Sequence, residues 1–240
     1  MKLQLKIIKT WLIDQLLLMR LAMRLQLGRR FWLVPALALA WPAFQSFRLL
    51  VGTGVQGFNE TDAQNVLIGL PLFVLAIGMG VRVIAGEIEQ RTLEVTYTVP
   101  GGSSRVWIAK LLAVLAPLVL AEVILAIITV VFFTAFPLVA LYGVLQGTVF
   151  YLTLAMALGA LFRSEIAAAL ATAVILALNG MAAGIGRLSP LFNPLAVQNT
   201  DATEIFAWTI QNRIGYALAI IALVTLACAR TERRERLLGN

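Results

Sequence analysis

Long apolar runs constrain this chain more than any other feature of its sequence. Hydrophobic residues make up 60% of the 240 residues and charged residues only 13%, about half of the charged share in an ordinary soluble domain. Several runs reach the roughly 20 residues that an α-helix needs to cross the hydrocarbon core of a bilayer. The sequence therefore predicts an all-α integral membrane protein rather than a soluble domain with a large core.

Six transmembrane spans are predicted within a membrane domain of residues 31–230. They cover about 31–51, 66–85, 111–136, 138–162, 166–185 and 214–229. Residues 231–240 are predicted to form a short tail.

Residues 1–30 are predicted to form an amphipathic helix. Five of its seven basic residues share one face, namely Lys2, Lys6, Lys9, Arg20 and Arg24. A basic stripe on an apolar helix suits the surface of an anionic membrane. The alternative is an inward extension of the first span.

Lysine and arginine are distributed unevenly between the two sides that six spans create. With both termini inside, 16 of the 19 basic residues lie on the inner side, and only Arg48, Arg187 and Arg213 lie outside. Because basic residues near spans favour the cytoplasmic side, both termini are predicted to be cytoplasmic. This distribution also accounts for the net charge of +7 without a nucleic-acid partner.

The stretch GEIEQRTLEVTYTVPGGSSRVWIAK, residues 86–110, is then the first cytoplasmic loop. Its first half mixes charged and apolar residues as a short amphipathic helix does, and Pro100 followed by two glycines ends that helix. Such a helix transmits force when a partner docks on it, and otherwise it is a solvated connector. From the residues alone, both interpretations stay open.

The same stretch resembles the signature of type-2 ABC transporter permeases. That signature has an acidic residue, a Thr-Leu-Glu core, an apolar segment, a proline, small polar residues and a lysine where the next span starts. The matching residues are Glu87, Glu89, Thr92, Leu93, Glu94, Pro100, Ser103, Ser104 and Lys110. Arg91 departs from the pattern, since many members carry glycine there. The layout of six spans is also similar.

The resemblance implies a permease subunit that pairs with cytoplasmic ATPase subunits and with a second permease subunit, either identical or a paralogue. The loop would form a coupling helix, and residues 188–208 a short re-entrant element near the outer face. The residues implied in ATPase coupling are Glu87, Ile88, Glu89, Arg91, Thr92, Leu93, Glu94 and Pro100.

ATP and Mg would be bound by the partner ATPase, because the chain contains no Gly-x-x-x-x-Gly-Lys-Ser/Thr motif. No cofactor and no enzyme activity are expected in this chain itself. The expected function is ATP-driven export, or mechanical work, across the inner membrane of a bacterium. Lipids, amphiphilic drugs, peptides, haem-like cofactors and polysaccharide precursors all stay open as cargo.

Glu122 is the only carboxylate predicted deep inside a span. A charge there is costly and is therefore a candidate for function. It can face a translocation path, pair with Arg48 or stay protonated, and the structural alternative is a neutral side chain hydrogen-bonded between helices. The alternative function is an ion-coupled secondary transporter that uses Glu122.

Cysteine and histidine usage excludes two classes of enzyme. The chain has no histidine and a single cysteine, Cys228. A His-ligated metal hydrolase and a Cys-His nucleophile are therefore excluded, and no catalytic or metal-binding residues are expected.

Overall fold

The computed structural model describes residues 32–52, 57–90, 103–181, 188–190, 192–194, 197 and 201–232. Every regular element in this part of the chain is a helix, so the all-α class is confirmed there. The helices are α1 (Leu33–Val51), α2 (Glu60–Glu89), α3 (Ser103–Phe132), α4 (Leu138–Phe162), α5 (Glu165–Met181) and α6 (Ala202–Glu232). All but α5 are long and apolar enough to cross a membrane, as in a multi-pass membrane protein, and α5 is apolar with 17 residues.

Several predicted segments lie outside the described residues, wholly or in part. These are the amphipathic helix of residues 1–30, most of the loop at 86–110 and most of the tail. The outer segment at 188–208 is described in part, and from Ala202 onward it is the beginning of α6.

The bundle has two ends, which we name by their connections. At the loop end, α2 finishes and α3 begins, and the short α4–α5 connection lies beside them. At the far end, the start of α2 lies beside the end of α3, where the rings of Phe58 and Phe133 are 5.4 Å apart.

Capping residues account for where several helices start and stop. Asn59 and Asp62 form a reciprocal capping box at the start of α2. Gly52 ends α1 with a φ of 73°, and Arg163 ends α4 with a φ of 59°. Both angles lie in the left-handed region, which glycine adopts without strain and arginine does not. These caps satisfy backbone groups that a helix terminus otherwise leaves unpaired.

The start of α2 departs from regular α-helix. Ala63–Gly69 is π-helical, and α-helix resumes at Leu70, whose N–H donates to the carbonyl oxygen of Asn65. Hydrogen bonds of this type run between residues five apart, so side chains before and after the segment do not follow one regular stripe. Such segments are rare and occur frequently at functional sites.

The helices differ from the predicted spans mainly at their ends. Helix α4 has the predicted bounds of 138–162, whereas α2 extends beyond 66–85 at both ends. Helix α3 begins at Ser103 and ends at Phe132, earlier than 111 and 136, and α6 begins at Ala202 rather than 214. The predicted spans are shorter because apolar composition identifies only the part of a helix that is suited to the hydrocarbon core. The 30 residues of α2 span about 45 Å, more than the roughly 30 Å of the hydrocarbon core.

The contact between α2 and α4 forms the core of the bundle. Both helices are buried over most of their length, whereas α1 and α6 are mostly exposed. A Cβ added to Gly80 would lie 2.5 Å from the carbonyl oxygen of Leu152, and one added to Gly159 would lie 3.3 Å from that of Val81. The two glycines therefore let the backbones approach closely, which is how membrane helices gain packing energy.

We expect Gly80→Ala to destabilise the protein, because the added methyl group overlaps a backbone oxygen that moves only if α2 and α4 separate. Overpacking of this kind costs about 1–3 kcal/mol. Gly78→Ala is the matched control, since it lies two residues away and a Cβ there meets nothing within 4 Å. Thermal unfolding of the detergent-purified chain compares them, and equal melting temperatures for the two variants would contradict the close contact.

Candidate functional site

The loop end holds the three implied coupling residues that the structure describes. Glu87, Ile88 and Glu89 form the last turn of α2. The other five, Arg91, Thr92, Leu93, Glu94 and Pro100, lie outside the described residues. The described part of this site is therefore the attachment of the loop to the bundle.

Glu87 is joined to Lys110 across the loop. The Lys110 Nζ lies 2.6 Å from Glu87 Oε1, and only 8% of the lysine side chain is exposed. The same ammonium lies 4.9 Å from the centre of the Trp107 ring, which is fully buried. A charge in such surroundings needs a partner to offset its desolvation, and the ring adds a cation–π contact. This pair ties the end of α2 to the beginning of α3.

Glu89 is joined to α5 by a hydrogen bond. The backbone N–H of Glu165, the first residue of α5, donates to Glu89 Oε1 at 2.8 Å. A carboxylate is favourable at that position because the first N–H groups of a helix lack partners and carry partial positive charge. Glu89 therefore caps a helix 76 residues further along the chain.

Glu165 reaches back to α2 at the same place. Its Oε2 lies 3.5 Å from Arg82 Nε. Its Oε1 lies against Gly86, where an added Cβ would be only 2.9 Å away. We call Arg82, Glu87, Glu89, Lys110 and Glu165 the loop-end charge cluster.

The loop-end charge cluster links three helices. It connects α2 to both α3 and α5 through two ion pairs and one charged hydrogen bond. Ile88 adds an apolar contact, since it is partly buried against the main core. A displacement of the end of α2 would therefore be passed to α3 and α5.

Sequence reasoning missed two of the five residues of this cluster. It included Glu87 and Glu89, but Arg82 and Glu165 were not among the candidate residues, and Lys110 was noted only as part of the loop pattern. The available signal was the opposite charge of residues flanking neighbouring spans. Spacing in the chain does not identify which of them meet.

Glu122 lies inside α3 and is 6% exposed. Among the described residues, no side chain forms an ion pair or hydrogen bond with it. The pairing with Arg48 is not seen, since the Arg48 guanidinium donates to Gln45 at 3.3 Å. Glu122 is thus a buried polar group within an otherwise apolar stretch, and such groups in membranes are candidates for function.

A second polar set lies at the far end, and sequence reasoning missed it. Gln146 Nε2 donates to Asn212 Oδ1 at 3.1 Å, and Asn212 Nδ2 donates to the carbonyl oxygen of Ser189 at 2.9 Å. One Arg213 nitrogen, NH1, donates to Gln146 Oε1 at 3.0 Å. With the neighbouring Gln64 of α2, we call Gln64, Gln146, Asn212 and Arg213 the far-end network. Its signal in the sequence was an amide in an apolar run, which needs a partner when buried.

No metal centre is evident in the described part of the chain, where no three His, Cys, Asp or Glu side chains are grouped to hold an ion. Neither a protein-family model, nor a curated protein, nor a solved structure matches the chain.

We expect Lys110→Met to lower stability, because it removes the ammonium group that lies against the Glu87 carboxylate. Breaking a fully buried pair costs about 3–5 kcal/mol, and about 1–3 kcal/mol is expected here because Glu87 is partly exposed to solvent. The double variant Lys110→Met with Glu87→Gln should recover most of the loss, since it removes both charges. Arg105→Met, at an exposed position of the same helix, is the control. A double variant no more stable than Lys110→Met would show that the charges are not coupled.

Replacing Glu89 by alanine should destabilise the start of α5 by about 1 kcal/mol, the usual value of a lost helix cap. Glu89→Gln keeps an oxygen acceptor at the same place and should retain most of the stability. Hydrogen exchange of the first α5 amides, followed by mass spectrometry, measures the local effect. Equal exchange in both variants would assign the effect to the charge of Glu89 instead of its hydrogen bond.

Proposed function

We propose that the chain is the transmembrane permease subunit of an ATP-binding-cassette exporter. It couples ATP hydrolysis by separate subunits to export, or to mechanical work, across the membrane. The observation that carries this proposal is the loop-end charge cluster. Glu87 and Lys110 flank the loop at 91–102 and are bonded to each other, so both ends of that loop are fixed to the bundle.

The fixed loop ends favour a lever over a simple connector. A connector between two spans works without any bond between its flanking residues. Here the residues before and after the loop form a short, shielded ion pair, and Glu89 extends the attachment to α5. A subunit that pushes on the loop would therefore move α2, α3 and α5 together. The resemblance of residues 86–110 to type-2 ABC permeases supports the same assignment.

In this proposal the loop end faces the cytoplasm and the far end faces outward. The basic residues support it, because 16 of the 19 fall on the loop-end side when the six helices alternate in direction. Both termini are then cytoplasmic, and the membrane is the inner membrane of a bacterium.

The proposed partners are ATPase subunits, which bind ATP and Mg, and a second permease subunit. Helix α5 supports the second partner, because most of its surface is uncovered within the chain. A Cβ on Gly180 meets nothing within 4 Å. The large exposed side chains of α5 are all apolar, namely Ile166, Leu170, Val174, Leu178 and Met181. Lipid or a close-packed second subunit fits such a face.

The second candidate function is an ion-coupled secondary transporter. Glu122 favours it, because a buried carboxyl group with no partner among the described residues is suited to taking up and releasing a proton. Transporters of this type generally use several buried titratable groups. In the described spans Glu122 is the only buried carboxyl group, so we rank this function second.

The decisive measurement is ATP hydrolysis by a complex purified through this chain from its native membrane. We expect an associated ATPase whose turnover depends on the chain. Leu93→Asp and Glu94→Lys should abolish that dependence while the chain stays folded, because they change the surface offered to the ATPase. Glu60→Lys, at the far end of α2 where it is exposed, is the matched charge reversal and should have no effect.

Two outcomes would contradict the exporter. One is transport by the chain in vesicles without any ATPase, abolished by a protonophore and by Glu122→Gln, which would favour the second function. The other is unfolding of the Leu93→Asp and Glu94→Lys variants in thermal melts, which would make the loop structural.

A further inference from the structure

The guanidinium of Arg213 is held in a fixed orientation at the far end. Its central carbon lies 4.7 Å from the centre of the Tyr142 ring. One terminal nitrogen, NH1, donates to Gln146 Oε1 at 3.0 Å. The other, NH2, is buried and makes no hydrogen bond. Arg213 is therefore not a side chain that simply extends into solvent.

Arg213 has no acidic partner in the described part of the chain. The ion pairs seen there involve Arg82 and Lys110, and no carboxylate oxygen lies within 4.0 Å of the Arg213 nitrogens. Its hydrogen-bond partner is a neutral amide. A cation at the border of an apolar segment is costly without a counter-charge, so this geometry leaves one negative charge to be supplied from elsewhere.

Gln64 completes a small group of polar atoms beside Arg213. Only 1% of Gln64 is exposed, and its Oε1 is buried with no hydrogen-bond partner. Its side chain lies over Gly143, where an added Cβ would be 2.6 Å from Gln64 Nε2 and 3.6 Å from Arg213 NH2. The amide and the guanidinium thus converge on one glycine. Rotation of the amide by 180° exchanges its oxygen and nitrogen, so Gln64 can offer a donor to an anion.

The outer edge of this group is exposed, although Arg213 NH2 and Gln64 Oε1 themselves are buried. Tyr142, on which the guanidinium stacks, is 55% exposed. Arg213 directly precedes the apolar run of α6 that starts at Ile214, so it lies at the border of the hydrocarbon. Lipid phosphates lie at this depth, and basic side chains at helix ends reach toward it.

We propose that Arg213, Gln64 and Tyr142 form a binding site for an oxyanion at the far end. The ligand is a phosphate or carboxylate group, carried either by an anionic lipid or by a free solute. Arg213 NH2 and the Gln64 amide donate to it, and Gln146 and Tyr142 orient the guanidinium. The planar fork of arginine suits such groups. This inference needs only a membrane chain and does not rest on the pairing with an ATPase.

The test uses the full chain purified in an uncharged maltoside detergent, with thermal unfolding as the measurement. Phosphatidylglycerol, uncharged diacylglycerol and inorganic phosphate are added separately, with chloride matching the ionic strength. We expect a rise in melting temperature of roughly 2–4 °C from phosphatidylglycerol or phosphate and none from diacylglycerol. A rise with the lipid alone identifies a headgroup as the source, and a rise with inorganic phosphate identifies a free oxyanion.

Arg213→Gln should abolish the rise and weaken lipid binding, measured by native mass spectrometry, about tenfold or more. Arg230→Gln makes the same charge change at the loop end of the same helix and should keep the rise. Gln146→Glu places a carboxylate beside Arg213 NH1 and removes the donor to Asn212, and the folded variant should lose the response to anions.

The proposal is overturned by any of three results. The first is a wild-type chain that neither anion stabilises more than chloride or diacylglycerol does. The second is equal responses in the Arg213→Gln and Arg230→Gln variants. The third is a full response in Gln146→Glu, which decides the question even where Arg213→Gln fails to fold.

Discussion

A charge beside hydrocarbon needs a partner, and this requirement organises both ends of the bundle. The low dielectric of the apolar region makes a lone ion costly and makes a paired one strongly attached. At the loop end, Lys110 pairs with Glu87 and Arg82 pairs with Glu165. These pairs add to the apolar packing of α2 against α3 and α5, the shielded Lys110–Glu87 pair more than the Arg82–Glu165 pair, because the Arg82 side chain is 66% exposed.

At the far end, the cation has neutral groups beside it instead of an acid in the described part of the chain. Its cation, Arg213, has an amide and an aromatic ring for neighbours. The amide of Gln146 is shared, since it also donates to Asn212, which in turn donates to the carbonyl oxygen of Ser189. Burying neutral groups around a cation satisfies hydrogen bonds and leaves the charge uncompensated. The two ends therefore differ, because Lys110 and Arg82 at the loop end are paired with acids, whereas Arg213 at the far end has no acid beside it among the described residues.

The sequence predicted the helices better than it predicted their contacts. Hydropathy depends only on neighbouring residues, and it identified α4 to the residue. It shortened α2 and α6, because polar first turns such as Glu60–Asp62 are helical for reasons of capping, which apolarity does not register. The loop-end charge cluster was out of reach, since Glu89 meets Glu165 across 76 residues. Likewise, the π-helical segment that carries Gln64 has no distinct composition by which to predict it.

Helix α2 runs from one end of the bundle to the other, so a movement of α2 would affect both ends. It carries Gln64 in its π-helical segment and Glu87 in its last turn, and it packs on α4 through the close approach at Gly80. Helix α4 in turn carries Gln146, which bonds to Arg213. A shift of α2 along α4 would change the distance between Gln64 and Arg213. By reciprocity, an anion bound to these two side chains would favour one position of α2 relative to α4. The size of that coupling is set by how differently the anion binds in the two positions.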